Sequence, residues 1–263
     1  MFKALRDWKR QRVLRHAQFD DARWRAAALR LEFVRSLAPA DLNRLRDLVV
    51  LFLAEKQFAT AVGLELTDEM RFSVATQACM LILKLDLDFY RGWKGIVIYP
   101  EQFVPRHQHV DEAGVVHQGD EPFSGEAWLG GPVILSWADV QHSGYSDGVN
   151  VVIHEFAHKL DMLNGHANGF PPLHAGMQRQ AWVESMTAAY RDFCMRVDSG
   201  EHTIIDPYAA QSPGEFFAVM SEAFFELPDV VEDEYPAVYD QFRQFYRQDP
   251  IARLPARAGA HFA

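Results

Sequence analysis

A chain of 263 residues with 49% hydrophobic and 24% charged side chains can bury a sizeable core, as one large domain or two small ones. Its formal charge of −10 would repel nucleic-acid phosphates, which excludes nucleic-acid binding as the main activity. No stretch reaches the roughly 18 apolar residues needed to span a bilayer, so no membrane association through a spanning helix is expected.

The chain opens on a basic arm, with nine Lys or Arg against three Asp in residues 1–30. The arm has no apolar stretch or cleavage site of a secretory signal, and a cytoplasmic location is expected. It reads as a solvated, partly frayed terminus, with docking to an acidic partner or a membrane surface as the alternative. Helical apolar spacing then runs from Asp21 to Leu37. Pro39 opens a second helix to about Phe58, and Thr67 caps a third to about Leu85. The periodicity changes at residues 95–99, a short buried strand ended by Pro100, and residues 131–137 form another. The turn-rich stretch between them reads as hairpins or loops. His107 and His109, two apart within it, have no further ligand nearby and read as surface residues.

After a motif-bearing helix at 149–161 comes a loop at 164–174, where His166 and His174 read as ordinary loop residues. A long helix follows from about Gly176 to Gly200, another from Ser212-Pro213 through Phe225, and a last one from Pro236 through Gln248. Cys79 and Cys194 sit in apolar helical patterns and read as small hydrophobes rather than a disulfide. Strands grouped together and flanked by helices predict an α+β fold, mainly helical with a small sheet and without a doubly wound parallel sheet. A helical region at 1–90 and a catalytic region at 91–263, packed as one unit, are the expected parts.

The chemistry is concentrated in His154-Glu155-x-x-His158. Residues four apart share one face of a helix, so His154 and His158 can offer two imidazole nitrogens to one metal ion, with Glu155 beside it to take a proton from bound water. Random placement of 11 His and 16 Glu in 263 residues gives roughly 0.03 such matches, so the pattern carries weight before its context is considered. Its neighbours Val149, Val151, Val152, Ile153, Phe156, Ala157 and Leu160 are apolar, which predicts a helix buried on most sides. Two histidines and a carboxylate among such neighbours are costly unless paired or metal-bound. A catalytic zinc takes three protein ligands and keeps one position open. Acidic residues on the later helices are the candidates, foremost Glu215 in the first turn of the nearly all-apolar segment 212–225. Taken alone, Glu215 also fits a simple acid at a helix N-terminus.

Residues 149–161, the upstream Gly131-Pro-Val-Ile-Leu-Ser-Trp137, the downstream Asp206-Pro-Tyr208 and Glu215-Phe-Phe-Ala-Val-Met-Ser-Glu222, and Gln244-Phe-Tyr-Arg-Gln-Asp-Pro250 together resemble the Mlc titration factor A family of cytoplasmic zinc metallopeptidases. The resemblance in order and spacing covers about residues 90–250; the N-terminal third shares only the pattern of helices. It implies a zincin-like core with a metal site similar to that of the anthrax lethal factor catalytic domain. It also implies zinc on His154, His158 and Glu215, with Glu155 as the catalytic base and Tyr208 as an active-site tyrosine. The implied partners are a peptide substrate and, as for the enterobacterial member, a glucose-responsive transcriptional repressor that it binds and inactivates.

Under that reading Glu155 deprotonates the attacking water and Tyr208 hydrogen-bonds to the developing oxyanion. Asp161 is placed either to accept the second N–H of a ligating histidine or simply to cap the helix end, and strand 132–136 would pair with an extended substrate if it forms a sheet edge. The alternatives are a regulatory protein that sequesters a transcription factor around a structural zinc, and a metal-dependent hydrolase of a non-peptide amide.

Overall fold

The computed structural model describes residues 2–61, 63–103, 109–110, 116–117 and 123–254. His107 lies outside the described residues; His109 is placed in a strand, but its side chain is outside them too. The fold is α+β, mainly helical with a small sheet.

The basic arm is helix α1 (Phe2–His16) rather than a frayed end. Arg6 and Arg10 reach carboxylates of the chain itself: Arg6 bonds to Asp88 at 2.8 Å, and Arg10 to Asp86 at 2.7 Å and to Asp88 at 2.8 Å. The stretch read as one helix from Asp21 to Leu37 is two, α2 (Asp21–Ala28) and α3 (Glu32–Arg35). Helix α4 (Pro39–Glu55) has proline in its first turn, where the missing N–H costs nothing. It ends before Phe58, because residues 57–60 leave the helix to become strand β1 (Gln57–Thr60). Helix α5 (Asp68–Leu81) is capped by Thr67, whose hydroxyl accepts from the Met70 N–H at 3.2 Å.

Strand β2 (Gly95–Tyr99) follows, then the short pair β3 (His109–Val110) and β4 (Val116–His117), then β5 (Gly125–Ala127) and β6 (Val133–Ser136). The main sheet runs β1-β2-β6-β5, with β1, β2 and β6 parallel and β5 antiparallel to β6. Strand β6 is therefore interior. The expectation that it pairs with substrate as a sheet edge is corrected: among the described residues that edge belongs to β5, because the chain doubles back through the turn at 128–132 and places β5 outside β6.

Helices α6 (Trp137–His142), α7 (Val151–Asp161) and α8 (Arg179–Asp198) come next, followed by a 3₁₀ turn (Pro207–Ala210), α9 (Pro213–Glu226), α10 (Pro228–Glu234) and α11 (Pro236–Tyr246). Phe217, Phe224, Phe242, Phe245 and Tyr246 from α9 and α11 interlock with Trp182 of α8 in edge-to-face and stacked pairs, almost wholly shielded from water. Burying each such ring contributes roughly 2–3 kcal/mol, so α9 rests on a rigid aromatic layer. Its opposite face meets α7. One continuous core joins Trp24 and Phe52 in the N-terminal third to Phe156 of α7 and to this layer. No helix is long and apolar enough to cross a membrane among the described residues.

Candidate metal centre

Helix α7 begins at Asn150, whose side-chain oxygen accepts from the Ile153 N–H at 3.0 Å, and its apolar residues sink into the core. Helix α9 begins at Ser212, whose hydroxyl accepts from the Glu215 N–H at 3.1 Å. This cap sets the first turn of α9 so that Glu215 faces α7. His154 Nε2 lies 3.1 Å from His158 Nε2, and Glu215 Oε2 lies 3.0 Å from the first and 3.3 Å from the second. The structure thus brings together all three residues singled out as ligands, with donor atoms within 4.8 Å of one another. Two imidazole nitrogens and one carboxylate oxygen aimed at one point are a donor set suited to a tetrahedral divalent cation.

The electrostatics fit a cation. Burial opposes charge on His154, but the carboxylates of Glu222 and Glu215 outweigh it and raise its pKa well above the ordinary value. Burial would raise Glu215, but hydrogen bonds from His154 and His158 hold it far below the usual carboxylate range.

Glu155 points beside this triad. It is 5% exposed, and its Oε2 has no hydrogen-bond partner among the described residues. Burial pushes its carboxyl up to about 7, against the pull of both histidines. Gly125 of β5 packs against it so closely that a Cβ there would sit 2.5 Å from Glu155 Oε1. The turn joining β5 to β6 is fastened to α7 by Lys159, which donates to the Trp128 carbonyl at 2.5 Å and the Gly131 carbonyl at 2.8 Å. A cleft of about 560 Å³ opens over His154, Glu155 and Gly125, and Tyr208, Val149 and Asp147 stand around it. Tyr208 is 36% exposed, with its ring centroid 5.9 Å from that of His154.

The partner that orients a ligand is Glu222 and not Asp161. Glu222 Oε1 meets His154 Nδ1 at 2.7 Å, and Oε2 accepts the backbone N–H of Asn150. Burial raises Glu222, opposed by His154. Asp161 Oδ2 instead takes the Asn168 and Gly169 N–H groups, each at 2.7 Å, and so orders the loop after α7. That loop buttresses the start of α9. Gly169, at φ +76, lies so close to Pro213 that a Cβ would stand 2.5 Å from its carbonyl oxygen. Asp161 therefore orders the loop that packs on the first turn of α9. His166 and His174 take no part in the cluster, and His174 Nε2 is 2.7 Å from the Phe245 carbonyl oxygen. Of the residues that sequence reasoning left without a role, Glu222 stands seven after Glu215 on one apolar helix, and Asn150 immediately precedes an apolar run. Both signals are visible in the chain.

The profile of the glucose-regulated metallo-peptidase M90 family matches residues 5–247, so the relationship extends through the N-terminal third, where only the helix pattern was legible. Mlc titration factor A of Yersinia pestis (strain Pestoides F) is 38% identical over 236 residues, covering 89% of this chain and 87% of its own. The same protein of Yersinia pseudotuberculosis serotype O:1b (strain IP 31758) matches to the same extent. With a buried His-Glu-x-x-His helix, a facing Glu215 and a match of this length, the chain belongs to the glucose-regulated metallo-peptidase M90 family.

Proposed function

We propose that this protein is a zinc-dependent peptidase that hydrolyses peptide or aminoacyl bonds in the cytoplasm. The observation that carries the reading is the convergence of His154 Nε2, His158 Nε2 and Glu215 Oε2 beside Glu155 Oε2, which has no hydrogen-bond partner among the described residues. These three residues would hold the ion. When bound, zinc would acidify a water and polarise the scissile carbonyl.

The chain's own residues supply the rest. Glu155, with its carboxyl raised to about 7 by burial, is suited to exchange a proton near neutral pH, first as base toward the attacking water and then as acid toward the leaving amine. Tyr208, at the mouth, presents a hydroxyl for the developing oxyanion. The side of β5 that carries no partner strand among the described residues lines up an extended substrate backbone, and Gly125, having no side chain, lets the strand pack directly on Glu155. Residues 1–90 and 91–263 act as one unit around this centre.

The test is Glu155→Gln in zinc-loaded protein against a panel of peptides and chromogenic aminoacyl substrates. Turnover should fall about 10²–10⁴-fold, with zinc content and melting temperature near wild type. Unchanged turnover would rule out the mechanism.

A second reading is favoured by the name of the relatives, Mlc titration factor A: this chain binds an Mlc-like repressor. Glu155 is buried, so Glu155→Gln should bind such a repressor as wild type does. Retained binding without turnover of any peptide by either protein would favour the binder.

A further inference from the structure

We propose that Asn150 is a positioning residue for the metal centre, one amide that fixes both the orientation of His154 and the neighbouring wall of the cleft. The proposal rests on the peptidase reading, since it assigns the residue to the metal site of that reading.

Asn150 is fully buried, and every polar atom it has is engaged. Its Oδ1 caps α7 at Ile153, and its carbonyl accepts the His154 N–H at 2.9 Å. Its Nδ2 donates twice, to Gln77 Oε1 of α5 and to Glu226 Oε1 of α9, both at 2.7 Å. Its backbone N–H donates to Glu222 Oε2, the carboxylate whose other oxygen is on His154 Nδ1. A cap alone needs only an acceptor, and Ser, Thr or Asp would serve equally. Two further acceptors from two different helices require the two N–H bonds of an amide.

The consequences converge on the ligand. Glu222 is held by the Asn150 backbone, and its contact with Nδ1 sets the His154 ring so that Nε2 faces Glu215 and His158. Glu226 spends its second oxygen on the Ser146 N–H at 2.7 Å, and Ser146 sits at φ +58, a left-handed conformation that needs such support. The loop it stabilises carries Ser143, Asp147 and Val149 to the cleft. Asn150 thus couples the ligand, the wall and α5 at one point.

The hydrogen-bond polarity of this knot can be inverted. In Asn150→Asp two carboxylates face each other where an amide met a carboxylate. In Asn150→Asp/Glu226→Gln the charge is conserved and donor and acceptor exchange places: the new amide donates to position 150 while its oxygen takes the Ser146 N–H. Gln77, whose Nε2 has no partner among the described residues, can turn over to donate as well. The experiment measures zinc affinity by competition with a chromogenic chelator, melting temperature of the metal-free protein, and peptide turnover, on the full chain. Asn150→Asp should bind zinc about 10–100-fold more weakly, and the double variant should return to within about threefold of wild type. Asn150→Ser, which keeps a cap and adds no charge, should also lose about tenfold and serves if Asn150→Asp does not fold. Wild-type zinc affinity in either single variant overturns the proposal. So does a double variant that recovers melting temperature but not zinc affinity, because Asn150 would then be a structural cap only. Zinc binding by wild type without hydrolysis of any peptide defeats the peptidase reading and leaves the affinity ratios to decide this one.

Discussion

Glu222 Oε1 lies 2.7 Å from His154 Nδ1, and this bond joins α9 to α7. Because Glu222 and Glu215 share α9, one helix supplies both a candidate ligand and the group that orients the candidate ligand His154. Replacing Glu222 by Gln keeps the shape but sets an amide against the Asn150 N–H or the His154 N–H, whichever way it turns. Zinc affinity should fall about 10–100-fold, measured by chelator competition, and an affinity equal to wild type would remove Glu222 from the centre.

Tyr208 stands at the mouth with a ring 5.9 Å from His154. Tyr208→Phe removes only the hydroxyl. Peptide turnover should drop about 10²–10³-fold with KM within a few-fold of wild type, the signature of a bond made in the transition state. A loss confined to KM would assign Tyr208 to substrate binding instead.

Gly125 has no room for a side chain, since a Cβ would lie 2.5 Å from Glu155 Oε1 and 2.6 Å from its Cγ. Gly125→Ala should displace the carboxylate, costing roughly 1–3 kcal/mol in stability and most of the turnover. Urea midpoints and steady-state rates measure the two effects separately. Full activity in the variant would mean that β5 yields more easily than its packing on α7 implies.

Glu226 provides a pH test. Burial pushes its carboxyl up to about 7 from the ordinary 4.5, so between those values the native state holds a proton that the unfolded chain releases. Stability from this group should therefore fall as pH rises from about 4.5 to 7, by on the order of 3 kcal/mol in all. Urea midpoints of wild type and Glu226→Gln at pH 5 and pH 7.5 measure the contribution, because the substitution removes only this titrating carboxyl. Equal slopes for the two proteins would show that Glu226 is not its source.

The pairing of His154 with His158 was legible because helical spacing is rigid and residues four apart share one face, whereas Glu215 was singled out through the family resemblance, and the cap at Ser212 is what turns it toward α7. The starts of α4, α5, α9 and α11 were equally plain, each marked by a proline or a capping hydroxyl. Strand β1 was not, because four residues of Gln-Phe-Ala-Thr continue a helical apolar pattern, and only pairing with β2 distinguishes the two conformations. Strand β5, Gly-Glu-Ala, has little intrinsic strand preference and exists through β6. Asp161 looked like a partner for a histidine because it is three residues past His158, but the following loop offered two N–H groups and claimed it.

Strand β1 comes from the N-terminal third, yet its register with β2, Gln57 opposite Gly95 through Thr60 opposite Ile98, makes it the outer rail of the sheet behind the centre. A fragment started at residue 91 would bare the whole edge of Gly95-Ile-Val-Ile-Tyr99. That is a short, uncharged, β-branched segment of the kind that recruits copies of itself. Trimming the N-terminal third should thus yield insoluble material, and a useful truncation would have to keep residues 57–60.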